Sequence, residues 1–174
     1  MITVVVCGAS GVGKTTVGRM LAERLGAAWA EGDDFHSPEN VAKMAAGRPL
    51  TDANREPWLR AIAAWIGEQE RAGRDAVVAC SALKRGYRDT LRDGHPSVVF
   101  VQLRAPAPEL ERRTSTRRHR YMPASLLASQ LDILEPLDAD EPGFVVDAVG
   151  DPAAVVGTIA ERLRLAPTTE RDRE

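Results

Sequence analysis

Gly8-Ala9-Ser10-Gly11-Val12-Gly13-Lys14-Thr15 is the stretch whose reading decides the fold. It fits G-x-x-x-x-G-K-[ST], a phosphate-binding loop, and both of its flanks are those the loop requires. Ahead of it, Ile2-Thr3-Val4-Val5-Val6-Cys7 is an apolar, β-branched run suited to a strand buried on both faces. Behind it, Val17, Met20, Leu21 and Leu25 mark one face of a helix that Gly26 can end. The three glycines let the backbone curl until successive N–H groups face phosphate oxygens, and the helix N-terminus adds partial positive charge. Lys14 then reaches the β- and γ-phosphates, and the Thr15 hydroxyl is placed for Mg²⁺. Gly8, Ser10, Gly11, Val12, Gly13, Lys14, Thr15 and Thr16 are the expected phosphate-binding set, and a nucleoside triphosphate is the expected ligand.

Outward from the loop, strand and helix patterns alternate. Ala27-Ala28-Trp29-Ala30 reads as a short strand leading into an acidic loop, Glu31-Gly32-Asp33-Asp34-Phe35-His36. Ser37 and Pro38 fit the N-cap and first turn of a helix running to about Gly47. The spacing predicts a longer helix from about Arg55 to Arg71 with Trp58, Leu59, Ile62 and Ile66 inward. Residues 76–80 and 98–103 read as strands separated by a helix over about 84–92, and 143–147 as a fifth strand. Helices are expected from about Pro108, from Pro123 and from Asp151-Pro152, with Leu126, Leu127, Gln130, Leu131 and Leu134 on one face of the second. This alternation predicts a single α/β domain over 1–166, a five-stranded parallel sheet with helices on both faces. The charged stretch 167–174 is expected to fray. In such sheets ligands gather at the C-terminal strand ends, where residues 8–15, 31–36 and 81–85 all fall.

The totals narrow the partners. The chain has 174 residues, 28% of them charged, and a net charge of −2. Nothing global therefore draws it to nucleic acid or to an anionic membrane. No stretch reaches transmembrane length and no signal peptide is visible, so the expected location is cytoplasmic. Cys7 and Cys80 end apolar runs and are expected as buried thiols rather than a disulfide. Asn-Lys-x-Asp, the guanine-reading segment of GTP switches, does not occur.

Three stretches bear on what accepts the phosphoryl group. Transfer to an alcohol needs a carboxylate that orients the hydroxyl and takes its proton, and a second can hold water on Mg²⁺; Asp33 and Glu31 are candidates in that order. Lys43, Arg48, Asp52 and Arg55 lie among small residues, where they could line a sugar or acid pocket. Arg112, Arg113, Arg117, Arg118 and Arg120 form a third group, in which Arg113 and Arg117 share a helical face. These arginines could clamp phosphates; an RNA patch is the rival, with Tyr121 as its lone aromatic. The three histidines show no metal-ligand spacing, and His95 is expected at the surface.

Glu31 through Asn40, with Lys43-Met44, Gly47, Pro49-Leu50-Thr51-Asp52, Arg55 and Pro57-Trp58-Leu59, resembles the signature of the gluconate kinases. Cys80-Ser81-Ala82-Leu83-Lys84-Arg85 with Tyr87-Arg88, and Met122-Pro123 through Leu134-Glu135-Pro136, extend the resemblance over most of the chain. The family is similar in fold to shikimate and nucleoside-monophosphate kinases. The resemblance implies ATP- and Mg²⁺-dependent phosphorylation of the 6-hydroxyl of D-gluconate, a homodimer, and a mobile lid over about 112–122. It makes Asp33 the residue that holds the acceptor hydroxyl and His36, Lys43, Arg55 and Lys84 candidates for the rest of gluconate. Arg117 matches the lid arginine that reaches the phosphates. The chain departs from the pattern twice. Arg120, in His119-Arg120-Tyr121, stands where the family has His, and Asn54 replaces an acidic residue before Arg55. Another kinase of the same fold, acting on a different small acid or nucleotide, is the alternative.

Overall fold

Successive side chains of a strand point to opposite faces, and every residue of β1 (Thr3–Cys7) is buried. Val4 and Val6 therefore join one core and Val5 and Cys7 another, one on each side of the sheet. The computed structural model describes residues 1–116 and 126–165. Within them β1 is flanked by β3 (Ala76–Ala79) and β4 (Val98–Arg104), with β2 (Ala28–Glu31) and β5 (Gly143–Asp147) at the edges. All four pairings are parallel and the order is β2-β3-β1-β4-β5. The expected α/β architecture is what forms. On one face lie α1 (Lys14–Leu25) and α7 (Pro152–Leu165), contributing Val17, Leu21, Val156 and Ile159. On the other lie α3 (Asp52–Arg71) and α4 (Arg85–Arg92), whose Trp58, Leu59, Ile62, Ile66 and Leu91 fill the second core.

Local signals set most helix starts where the sequence puts them. The Ser37 hydroxyl accepts from the Asn40 N–H (3.2 Å), and Pro38 opens α2 (Pro38–Ala45). Helix α3 starts three residues earlier than the apolar periodicity suggests. Thr51 and Asn54 make a reciprocal cap there: the Asn54 N–H donates to Thr51 Oγ1 (3.2 Å) and the Thr51 N–H to Asn54 Oδ1 (3.1 Å). The acidic segment after β2 is a single 3-10 turn, Gly32–Phe35, rather than an open loop. His95 corrects another expectation. It is half-buried, with Nδ1 2.6 Å from Glu70 Oε2. Cys7, at the end of β1, and Cys80, just past β3, are both free and buried; burial pushes the Cys7 thiol up to about 12 and Cys80 well above its usual value. Helices α5 (Ala107–Thr116) and α6 (Leu126–Ile133) border the described residues on either side of 117–125. The predicted helix start at Pro123 and the tail 167–174 lie outside the described residues.

One buried charge braces the sheet end that carries the site. Arg88 is fully buried and donates to both oxygens of Glu141 (2.6 and 2.9 Å). It also donates to the carbonyls of Ala82, Leu83, Glu135 and Pro136. A buried guanidinium is tolerated when its donors are satisfied in this way. The arrangement pins the loop after β3 against the 135–141 segment.

Candidate active site

The phosphate loop follows β1. At Gly8, φ is 137°, and a Cβ there would meet the Leu103 carbonyl oxygen at 2.5 Å, so only glycine fits. The Lys14 ammonium lies across the loop and donates to the Ala9 carbonyl (3.0 Å). Burial pushes its pKa below the usual lysine value, while Asp33 and then Glu31 pull it back up. From the far side, the Ser10 N–H donates to Gln130 Oε1 of α6 (2.7 Å).

The two candidate carboxylates occupy different places. Glu31 ends β2 and accepts from the Thr15 hydroxyl at 2.6 Å. Burial raises its pKa, with the Thr15 hydrogen bond opposing and Asp33 adding. Hydroxyl and carboxylate oxygens side by side are hard donors of the kind Mg²⁺ takes alongside nucleotide phosphates. Among the described residues no three His, Cys, Asp or Glu side chains gather as a metal cluster. Asp33 lies in the 3-10 turn and faces a separate cleft. That turn packs so closely on β3 that a Cβ on Gly32 would fall 2.2 Å from the Ala79 carbonyl oxygen. The Trp58 indole N–H fixes it further by donating to the Gly32 carbonyl (2.7 Å).

Asp33, His36, Arg55, Trp58, Ser81 and Gln130 help line this first cleft. His36 stacks on Trp58, with ring centroids 4.3 Å apart. The Asn40 amide nitrogen donates to the Asn54 carbonyl (2.9 Å), so the same nitrogen presents its other hydrogen to His36 Nδ1 (3.4 Å). The ring proton is thereby assigned to Nε2, which faces Asp33 Oδ1 at 4.0 Å. Burial lowers the His36 pKa to about 4, with Asp33 opposing and Arg55 reinforcing.

A pH dependence follows from that shift. The folded imidazole titrates near 4 and the unfolded one near 6.5, so between those values the unfolded chain holds the extra proton and falling pH favours unfolding. Wild type minus His36→Asn, compared by urea midpoints, is expected to show a stability slope of about one proton across pH 4–6.5, vanishing above 6.5. Parallel pH profiles for the two proteins would mean that His36 titrates normally.

Of the expected acceptor residues, Asp33, His36 and Arg55 come together in the cleft, and Lys43 and Lys84 do not line it. Lys43 donates to Asn54 Oδ1 (3.3 Å), and Lys84 to both Asp52 oxygens (3.0 and 3.1 Å). The departure at Asn54 thus serves as helix cap and as partner of Lys43.

A second cleft opens on the other side of the loop. Val12, Gly13 and Thr16 meet Arg113 there, with Ala148 and Gly150 from the connection after β5. Arg113 donates to the carbonyls of Val12 (3.3 Å) and Ala148 (2.9 Å), tying loop to connection. Arg112 pairs with Glu109 (2.8 Å), and these two arginines hold the Glu109 carboxyl down to about 2. Arg117, Arg118, His119, Arg120 and Tyr121, and with them most of the expected lid, lie outside the described residues. Sequence reading did not single out Trp58, Gln130, Ala148 and Gly150 as lining residues of the two clefts, and it reached Ser81 only through the 81–85 stretch at the strand ends. Gln130 carried a signal of its own, a polar side chain at a core position among leucines.

Known proteins share this sequence pattern and this fold. Residues 4–137 match the family model described as an AAA domain. The gluconokinase of Gluconobacter oxydans (strain 621H) is 49% identical over 152 residues, 87% of this chain and 85% of that protein. An unliganded sugar kinase from Janibacter sp. HTCC2649 superposes with a TM-score of 0.90 at 48% identity, covering 96% of each chain. A gluconokinase from Sinorhizobium meliloti 1021 gives 0.78 at 40% identity, covering 95% of this chain and 97% of that one. The shikimate kinase of Aquifex aeolicus, at 16% identity and a TM-score of 0.61, shares the fold alone over 94% of this chain and 96% of its own.

Proposed function

The chain belongs to the gluconokinase family, and on that premise we propose how its residues carry out the transfer. The enzyme is an ATP-dependent phosphotransferase that converts D-gluconate to 6-phospho-D-gluconate. The observation that carries the site reading is the placement of Asp33 in a cleft beside the phosphate loop, with the Lys14 ammonium between the two carboxylates electrostatically.

In this reading the 6-hydroxyl of gluconate lies against Asp33, which orients it and takes its proton as the hydroxyl oxygen bonds to the γ-phosphorus. The bond from that phosphorus to the bridging oxygen breaks and ADP leaves. Lys14 and the loop N–H groups neutralise charge on the phosphates. Thr15 and Glu31 would hold Mg²⁺, which when bound supplies further neutralisation of the phosphate oxygens. Arg55 and the Nε2–H of His36 face the carboxylate and hydroxyl groups of the acceptor. Arg113 borders the nucleotide, and Arg117 belongs to a lid over about 112–122 whose closure would exclude water as a competing acceptor. Residues 1–166 form one kinase domain in this reading, and the protein works as a cytoplasmic homodimer. Among the described residues no helix is long and apolar enough to cross a membrane. Sedimentation at micromolar concentration tests the dimer.

An ADP-release assay across gluconate, other sugar acids, shikimate and nucleoside monophosphates tests the acceptor. Gluconate is expected to give the highest kcat/KM. A higher value for any other compound would replace it with another acceptor of the same kinase fold.

A further inference from the structure

We infer that Tyr87 is a positioning residue for acceptor recognition: its hydroxyl, oriented by Asp52, fixes the Arg55 guanidinium as the fork that receives the acceptor's carboxylate. The inference deepens the proposed function and rests on it.

Arg55 is the cation that lines the acceptor cleft among the described residues. The neighbouring lysines are engaged elsewhere, Lys43 by Asn54 and Lys84 by Asp52. An arginine side chain has many rotamers, and a ligand that must order it binds more weakly than one that meets it ordered. Two groups hold Arg55 in place. Its Nη1 donates to the Leu50 carbonyl (2.6 Å) and to the Tyr87 hydroxyl (3.2 Å). Both bonds use Nη1, and Nε and Nη2 make no hydrogen bond among the described residues. A carboxylate can therefore take the remaining edge of the fork in two-point contact.

The direction of the Tyr87 proton makes this work. A phenol hydroxyl has one proton, and Tyr87 donates it to Asp52 Oδ1. Its lone pairs are then turned toward Arg55. Asp52 also holds Lys84 by both oxygens, so an otherwise exposed carboxylate orders the hydroxyl and keeps a second cation out of the cleft. The ring lies under both cations, 5.5 Å from Arg55 Cζ and 5.6 Å from Lys84 Nζ. The order Lys84–Asp52–Tyr87–Arg55 thus runs from the residue just before helix α4 to the cleft wall.

Tyr87→Phe keeps the buried ring and removes the oxygen. At saturating ATP the KM for gluconate is expected to rise about 5- to 20-fold, less than the full worth of a hydrogen bond to a charged group because the Leu50 carbonyl still holds Arg55 Nη1. The kcat, the KM for ATP and the melting curve should hold. A purely structural role for Tyr87 would lower the melting temperature and leave the ratio of the two KM values unchanged, which would overturn the inference. The double-mutant cycle with Arg55→Lys isolates the route of action. On the Arg55→Lys background Tyr87→Phe should add little; fully additive losses in gluconate KM would show that Tyr87 does not act through Arg55. Asp52→Asn leaves an acceptor for the phenol proton and is expected to raise KM less than Tyr87→Phe; a larger rise would assign the effect to the Lys84 pair and sink the proposal. Wild-type turnover separates this from the function itself. If wild type prefers another carboxylate-bearing acceptor, gluconate is wrong and the same cycle on that acceptor judges Tyr87. Preference for an uncharged acceptor overturns both.

Discussion

Lys14→Met is expected to lower kcat for gluconate phosphorylation by more than about 10³-fold, since even one neutral transition-state donor is worth about 10²–10³. Methionine matches the length of the lysine stem but brings neither charge nor donor to the β- and γ-phosphates. The fold should survive the change. Burial holds the Lys14 ammonium below its usual pKa, and the pull of Asp33 and Glu31 does not restore it. A cation whose folded pKa lies below its unfolded value is destabilising while charged, so at neutral pH the protein gains or keeps stability when that charge goes. Loss of turnover with an unchanged or higher melting temperature is therefore the expected pair of results. Near wild-type turnover in the folded variant would remove Lys14 from the phosphate site.

The loop that carries Lys14 was legible in the sequence because it is local. Eight consecutive residues set its backbone, and Gly8 has no side-chain alternative beneath the Leu103 carbonyl. The strands were legible for a similar reason, being short β-branched runs, although their order β2-β3-β1-β4-β5 depends on which side each crossover takes. Asp33 and Glu31 stood out as candidates by their position after β2. The division of labour proposed for them was not legible there, because it turns on Thr15, sixteen residues away, reaching Glu31. Lys43 and Lys84 show what residue type alone does not report. Each is a cation in a promising stretch, yet the fold pairs them with Asn54 and Asp52 across 11 and 32 residues. Trp58 is the opposite case. Its spacing on α3 marks it as core, which it is, but an indole N–H that steadies the Asp33 turn has no sequence signature. Contacts between elements carry the acceptor side, and a pattern within one element cannot report them.

Asp33→Asn should lower kcat by about 10²–10⁴, the usual worth of a general base, with the KM for ATP little changed. The replacement is nearly isosteric and keeps an oxygen toward the acceptor, so positioning is largely retained and proton acceptance is lost. Among the described residues no neighbour is placed to take over that step. His36 is close, with Nε2 4.0 Å from Asp33, but its Nδ1 receives the Asn40 amide and its Nε2 already carries the ring proton. Its pKa near 4 also makes it a weak base at neutral pH. Glu31 is engaged by the Thr15 hydroxyl on the side expected to hold metal. Glu31→Gln therefore serves as the counterpart variant and is expected to raise the Mg²⁺ concentration needed for half-maximal rate. The two carboxylates are then separable by one pair of titrations. If Asp33→Asn raised the Mg²⁺ requirement and the KM for ATP while kcat recovered at saturation, Asp33 would belong to the metal and the base would have to be sought elsewhere in the cleft.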